Sequence, residues 1–104
     1  MNNVYLFQIN RNLDSNNVIF DDYLTMCAKQ KTLDPYIYEL TWSGMCTSTN
    51  PEDVYRELTM NPPEELHGGI SVSDVITIED KNYYVDDFGF RCFEITWFMQ
   101  YSII

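Results

Sequence analysis

The chain has 104 residues, of which 45% are hydrophobic, and a formal net charge of −10 at pH 7. This length and composition suit one folded domain with a modest core, so we predict a single domain over residues 1–104. A strongly negative charge repels nucleic acid and anionic lipid, which disfavours direct DNA or RNA binding and favours a basic protein as partner.

The first half of the chain predicts a strand, a helix and a second strand. Residues 4–9 are β-branched and aromatic and precede a polar loop, which predicts the first strand. Asp22 suits the N-cap of a helix that ends before Asp34-Pro35. Within this helix Tyr23, Leu24, Cys27, Ala28 and Lys31 recur at helical spacing. Residues 36–42 alternate as a strand. One side of it carries Tyr36, Tyr38, Leu40 and Trp42.

The second half predicts one more helix and a β meander. Asn50 as N-cap and Pro51 at the first helical position begin the helix, which two prolines close. Residues 74–87 read as a hairpin with a turn at Asp80-Lys81, and residues 90–99 alternate as a further strand. This order predicts a small α+β domain in which two helices pack on a mainly antiparallel sheet of about five strands.

Few side chains suit catalysis. His67, the single histidine, stands beside two glycines and is interpreted as a loop residue. We interpret Cys27 and Cys92 as buried structural thiols and Cys46 as a loop cysteine; three widely spaced cysteines fit a reducing cytoplasm. The N-terminal stretch shows neither a signal peptide nor a membrane span. We therefore assign no catalytic residue and no cofactor.

The acidic residues lie mostly in the second half of the chain. Residues 1–48 hold five acids and three bases, whereas residues 49–104 hold eleven acids and three bases. A Mg²⁺ or Ca²⁺ site at Asp80, Asp86 and Asp87 is disfavoured, because the spacing is not that of an EF-hand loop and adjacent strand residues point to opposite faces. We assign no metal site and expect a solvated acidic face.

The stretch GGISVSDVITIEDKNYYVDDFGFRCFE resembles the signature of the YodL-like domain. In that signature a Ser-x-Ser-Asp-Val segment enters a strand, a tyrosine-rich strand ends in Asp, and Gly-Phe follows. The matching residues are Ser71, Ser73, Asp74, Val75, Tyr83, Tyr84, Asp86, Gly89 and Phe90. The segments VYLFQI, YELTWSG and PEDVYRELTMNPP also look like family counterparts, so the resemblance covers most of residues 4–95. Asp87 departs from the small polar residue frequent there, and residues 96–104 extend beyond the resemblance.

This resemblance implies a biological setting for the protein but no enzymatic activity. Such domains occur alone or fused into large polyvalent proteins of phages, conjugative elements and other bacterial mobile DNA, and no enzymatic activity is assigned to them. The resemblance therefore carries over no catalytic residue. It implies an accessory protein of a mobile element, where small acidic proteins commonly disarm host defence. From the residues alone, Ser71, Ser73 and Asp74 are expected to form turns at the start of the hairpin.

Charge and resemblance together predict a non-enzymatic inhibitor of the anti-CRISPR or anti-restriction kind, a DNA mimic. It would bind a basic nucleic-acid-handling host protein such as a CRISPR effector nuclease in the cytoplasm and block DNA engagement. The predicted partner-binding residues are Glu79, Asp80, Tyr84, Asp86, Asp87 and Phe88 around the hairpin, with Glu52, Asp53 and Glu57 on the second helix. Apolar anchors are also required. The candidates for them are Tyr84, Phe88, Trp97 and Tyr101.

Two alternatives remain open on the sequence. One is a structural or adaptor module that mediates assembly among mobile-element proteins. The other is a small metal-dependent enzyme that uses the acidic cluster. The aromatic C-terminal strand also suits pairing in a homodimer, so the sequence leaves the stoichiometry open.

Overall fold

A computed structural model of the chain describes residues 1–64, 66 and 69–94. The elements in chain order are β1 (Asn2–Ile9), α1 (Tyr23–Gln30), a 3₁₀ turn (Pro35–Ile37), β2 (Tyr38–Cys46), α2 (Pro51–Met60), β3 (Val75–Ile78), β4 (Lys81–Val85) and β5 (Phe90–Phe93). Every neighbouring pair of strands is antiparallel, in the order β2-β1-β3-β4-β5. The predicted α+β fold, with two helices and a five-stranded antiparallel sheet, is confirmed.

The two helices cover opposite faces of this sheet. Val54 and Leu58 of α2 are buried in one core cluster. The sheet contributes Val4, Leu6, Ile76, Ile78 and Val85 to it. Met26 of α1 is buried in a second cluster. The sheet contributes Phe7, Ile9, Val75 and Tyr84 there. Because successive strand residues point to opposite faces and a helix covers each face, both sides of the central strands are buried, as are all four residues of β3.

Both helices begin at the predicted caps. Asp22 accepts a hydrogen bond from the backbone N of Thr25 at 2.7 Å, and this bonding lowers the pKa of Asp22. Asn50 accepts from the backbone N of Glu52 at 2.9 Å, and Pro51 follows at the first helical position. Within the described part of the chain, no helix combines the length and the apolar character that a bilayer crossing requires.

Leu24 does not lie on the buried face of α1, although it was among the residues predicted to recur along one face of this helix. Leu24 is 69% exposed, whereas Met26 is buried against the sheet. The helix also ends earlier than predicted, at Gln30, because Lys31 adopts a φ of 69° that breaks the helical path. Asp34 caps the 3₁₀ turn that leads into β2, and does not end α1.

The alternation predicted for β2 is interrupted by a bulge. The pairing of β1 with β2 shifts by one residue and leaves Thr41 without a partner in the register. Tyr38 therefore joins the cluster under α1, whereas Trp42 packs against the cluster under α2. Tyr36 precedes the strand and is exposed. The prediction that these aromatic residues share one side is wrong, because a single extra residue turns the following side chains to the other face.

The positions of two cysteines also differ from the prediction. Cys46 is the last residue of β2 and is buried, and burial raises the pKa of its thiol. Cys92 lies on the edge strand β5 and is exposed, while Cys27 is half-buried. Both differences arise from sheet geometry, because β2 extends four residues further than predicted and β5 lies at the edge.

The turn of the β3–β4 hairpin is Glu79-Asp80, one residue earlier than predicted, and Lys81 is the first residue of β4. Glu79 adopts the left-handed conformation with a φ of 56°. Its backbone N donates to the carbonyl of Asn3 at 2.8 Å, and its carboxylate accepts from the backbone N of Asn3 at 3.2 Å. These two bonds extend the β1–β3 pairing into the turn.

Candidate functional site

The predicted acidic contacts lie at two opposite ends of the sheet. Glu79 and Asp80 form the turn before β4, whereas Asp86 and Asp87 follow its last residue. β4 has five residues, so at about 3.3 Å per residue the two acidic pairs are roughly 20 Å apart. They do not form one compact patch around the hairpin.

One end of the sheet gathers most of the predicted acids, and we call it the tip surface. Its carboxylates are Glu52, Asp53, Glu57, Glu79, Asp80 and Glu94, all exposed. The end of β2 lies beside the start of β1, because Asn2 pairs with Cys46, and Ser48 donates to Asp53 at 2.9 Å. The first turn of α2 therefore starts at the end of the sheet where β3 turns into β4.

Basic side chains are fewer on the tip surface. Arg56 lies 3.3 Å from a carboxylate oxygen of Asp53, an ion pair between two exposed side chains on α2. Lys81 follows the hairpin turn and is exposed. Exposed ion pairs contribute little to stability, so these two bases act mainly by reducing the local negative charge. The acids still outnumber them on the same segments, which leaves the tip surface negative.

At the opposite end, Asp86 is a structural residue. Its Oδ1 accepts from the backbone N of Tyr23, the first residue of α1, and from that of Asp87, each at 3.0 Å. Its own backbone N donates to the carbonyl of Gly89, which has a φ of 80° that favours glycine. Asp86 therefore fixes the start of α1 to the end of β4. Asp87 and Phe88 are exposed, Phe88 by 92%.

Replacing Asp86 with alanine is expected to lower the free energy of unfolding by about 1–2 kcal/mol, because a backbone N–H at the helix start loses its acceptor. Asp87→Ala is the matched control and should change stability by less than about 0.5 kcal/mol, since Asp87 is exposed. Urea denaturation followed by circular dichroism measures both. Equal losses in the two variants would contradict the structural role of Asp86.

Tyr84 does not lie on the surface. Its side chain is 0% exposed and packs edge-on against Tyr23, with ring centroids 5.1 Å apart. The hydroxyl donates to the carbonyl of Asp21 at 2.8 Å, and burial raises the pKa of Tyr84. The prediction of Tyr84 as a partner-binding anchor therefore needs correction. Alternation placed it on a strand but did not show that α1 covers that face.

The serine-rich segment before β3 forms the predicted turns and also buries a carboxylate. The backbone N of Asp74 donates to the carbonyl of Ser71 at 3.0 Å, and Asp74 Oδ2 accepts from the backbone N of Ser71 at 2.7 Å. Gln8 Nε2 donates to the same oxygen at 3.0 Å. Burial raises the pKa of Asp74 to about 6, and the two hydrogen bonds oppose this shift only in part.

Ser73 holds this segment against the rest of the chain. It is fully buried and adopts a φ of 86°, unusual for a residue with a side chain. Its Oγ accepts from the backbone N of Phe20 at 2.9 Å, and its carbonyl accepts from the hydroxyl of Tyr38 at 2.6 Å. The sequence indicated local turns here, but not these contacts with the loop before α1 and with β2.

The described residues do not assemble a metal-binding cluster. Among residues 1–64, 66 and 69–94, no group of three or more histidine, cysteine, aspartate or glutamate side chains is arranged to hold a metal ion. His67, interpreted as a loop residue, lies outside the described residues. The same is true of the predicted anchors Trp97 and Tyr101, and of the strand proposed for a homodimer contact beyond residue 94.

Comparison with known proteins bears on the resemblance noted in the sequence. Neither a curated protein nor a solved structure matches the chain. The family model of the YodL-like domain matches residues 3–96, which include both helices and every strand of the described fold except the first residue of β1. The match also spans the buried Ser-x-Ser-Asp segment and the tyrosine-rich strand β4. The chain therefore belongs to the YodL-like domain family.

Proposed function

We propose that this chain is a non-enzymatic inhibitor that binds a basic, nucleic-acid-handling host protein and blocks its engagement of DNA. Its setting would be the cytoplasm of a bacterium that carries a phage or another mobile element, and its target a CRISPR effector nuclease or a restriction enzyme. The observation that carries the proposal is the tip surface, where α2, the β3–β4 turn and the end of β5 present exposed carboxylates at the same end of the sheet.

The physical basis is competition for a positive groove. Proteins that hold DNA line their channels with Lys and Arg, so a rigid negative surface can occupy the same groove and exclude the phosphates. Complementary charge also speeds encounter and makes it sensitive to salt. Hydrogen bonds hold two carboxylates of the tip surface: Glu79 accepts from the backbone N of Asn3, and Asp53 accepts from the hydroxyl of Ser48. These two carboxylates are therefore positioned before a partner arrives.

An apolar contact is available beside these acids. Met45 is paired with Asn3 at the same end of the sheet and is 54% exposed. Methionine side chains adapt to varied surfaces, which suits a contact that anchors an otherwise electrostatic interface. Met45 thus takes the place of Tyr84, which the core sequesters. Phe88, at the other end of the sheet, would contribute only if the interface extended along β4.

Reversing two tip charges, with Glu52→Lys and Asp80→Lys combined, is expected to abolish inhibition while the fold is retained. Neither side chain accepts a hydrogen bond from the described residues, and two reversed charges facing a positive groove should weaken binding by about 100-fold. The measurement is the plaquing efficiency of a targeted phage on cells that express the chain together with an active CRISPR or restriction system. The double variant should reduce plaquing to the level of cells without the chain.

The matched control combines Glu64→Lys with Asp87→Lys, which changes the net charge equally but leaves the tip surface intact. Plaquing that stays high with the control variant and falls with the tip variant would support the proposal. If the unaltered chain raises plaquing against no CRISPR or restriction system, inhibition is rejected and the adaptor alternative is favoured. Stabilisation of the chain by Mg²⁺, Mn²⁺ or Ca²⁺, followed by hydrolysis of nucleic acid, would favour the enzyme alternative instead.

A further inference from the structure

A cavity of about 380 Å³ opens at the end of the sheet opposite the tip surface. It lies where β1 ends and β2 begins, beside the loop before α1 and the segment before β3. Ile9, Ile19 and Phe20 provide its apolar wall, whereas Glu39 and Asp74 contribute carboxylates to its lining. A concave site with an apolar wall and a few polar groups is the usual form of a ligand pocket.

Asp74 is the unusual member of this lining. It is 5% exposed, and both of its hydrogen bonds from described residues, those of Ser71 and Gln8, reach the same oxygen, Oδ2. No donor among the described residues reaches Oδ1. The ion pairs among the described residues join Lys29 to Asp21 and Arg56 to Asp53, so no described base forms an ion pair with Asp74, although Arg11 also lines the cavity.

A buried carboxylate without a cationic partner is costly. An asparagine at position 74 could accept the same hydrogen bonds from Ser71 and Gln8 without the cost of a buried charge. Two residues here adopt a positive φ: Phe20, which lines the cavity, with φ 68°, and Ser73, which precedes Asp74, with φ 86°. Costly groups gathered around one cavity are typical of a binding site, where a ligand offsets the cost.

The cavity wall suits a guanidinium group more than other cations. The guanidinium carbon of Arg11 lies 5.4 Å from the centre of the Phe20 ring, which shows that this ring can accept a planar cation at the mouth of the cavity. Ile9 and Ile19 can cover an aliphatic stem. A guanidinium presents several N–H donors in one plane, which matches a carboxylate oxygen beside an aromatic ring.

We propose that this cavity binds the guanidinium group of arginine, with Asp74 Oδ1 as the acceptor and the Phe20 ring as the surface on which the cation stacks. The ligand displaces Arg11 from the ring or stacks beside it. The site is separate from the tip surface and does not depend on inhibition. The same chemistry could come from free arginine or from an arginine side chain in a protein, and the experiment below distinguishes these sources.

The test is a titration of the ¹⁵N-labelled chain with N-acetyl-arginine-N-methylamide, followed by NMR. We expect saturable shifts of the backbone amides of Phe20 and Ser71 and of the side-chain amide of Gln8. Asp74→Asn should weaken binding by about tenfold, the usual loss for a hydrogen bond to a charged group. Asp87→Asn, which removes an exposed carboxylate at the same end of the sheet, should leave binding unchanged.

Three further arms identify the ligand. Phe20→Leu keeps an apolar side chain but removes the ring, so it should weaken binding of the arginine probe. N-acetyl-lysine-N-methylamide should bind more weakly than the arginine probe, and equal binding would overturn the guanidinium assignment. Free arginine that binds at least as tightly as the capped probe identifies a small-molecule site, whereas tighter binding of the capped probe identifies a protein side chain. The absence of saturable shifts, or equal affinity in Asp74→Asn, would overturn the proposal.

Discussion

Tyr84→Ala is expected to lower the free energy of unfolding by about 3–5 kcal/mol, the range for removing a large aromatic side chain from a core. Tyr84 is fully buried between the sheet and α1, and its ring packs against Tyr23. Tyr84→Phe should cost only about 1–2 kcal/mol, because it keeps the ring and leaves the carbonyl of Asp21 without its donor. Urea denaturation of the three proteins measures both differences.

The variant Tyr84→Phe also distinguishes a role of Tyr84 in the core from a role in contacting the partner. It remains folded, so inhibition in the plaquing assay should match that of the unaltered chain once expression is equal. Phe88→Ala is the control for the surface, because Phe88 is 92% exposed and its loss should change stability by less than about 0.5 kcal/mol. A loss of inhibition in stable, folded Tyr84→Phe would show that the hydroxyl contacts the partner after all.

The local signals in the sequence predicted much of the fold because their physics is local. Asp22 and Asn50 cap their helices through hydrogen bonds to residues two or three positions ahead, so the sequence alone contains the interaction. Tyr84 shows the limit of such reasoning. Alternation along β4 separates its two faces, but which of them is covered depends on α1, which lies more than fifty residues earlier.

The candidate contact surface was harder to predict, because acids that are close in the sequence have different roles. Much of the acidity serves the fold: backbone N–H groups donate to the side chains of Asp14, Asp22, Asp34, Asp74 and Asp86. The straight path of β4 then places Asp80 and Asp86 at opposite ends of the sheet. This separation follows from the predicted strand and its rise per residue, whereas the roles of the individual aspartates require the tertiary structure.

The burial of Asp74 could not be predicted at all from its neighbours in sequence. Ser71, Ser73 and Asp74 form turns that would be satisfied equally well on a surface. What buries the carboxylate is Gln8 of β1, 66 positions away, together with the packing of the segment beneath the loop before α1. The same non-local packing creates the cavity, so the proposed arginine site emerges only when β1, β3 and that loop are assembled.

Asp74→Asn is expected to raise the free energy of unfolding at pH 7 by up to about 3 kcal/mol, the free energy that corresponds to the rise of the Asp74 pKa from 3.8 to about 6. Burial disfavours the charged form, and asparagine retains an oxygen that can accept from Ser71 and Gln8. Between pH 4 and pH 6 the folded chain retains a proton that the unfolded chain has released. Stability contributed by this group is therefore fully present below pH 4 and is lost as the pH rises through 6.

The difference in the free energy of unfolding between the unaltered chain and Asp74→Asn isolates the contribution of Asp74, because the other carboxylates titrate in both proteins. Urea denaturation at pH 4 and at pH 7.5 should show the asparagine variant ahead only at the higher pH. A difference that is the same at both values would contradict a raised pKa of Asp74. Together with the arginine titration, the result decides what the carboxylate is for. A variant that gains stability and loses arginine binding would show that the chain retains a destabilising charge because the ligand requires it.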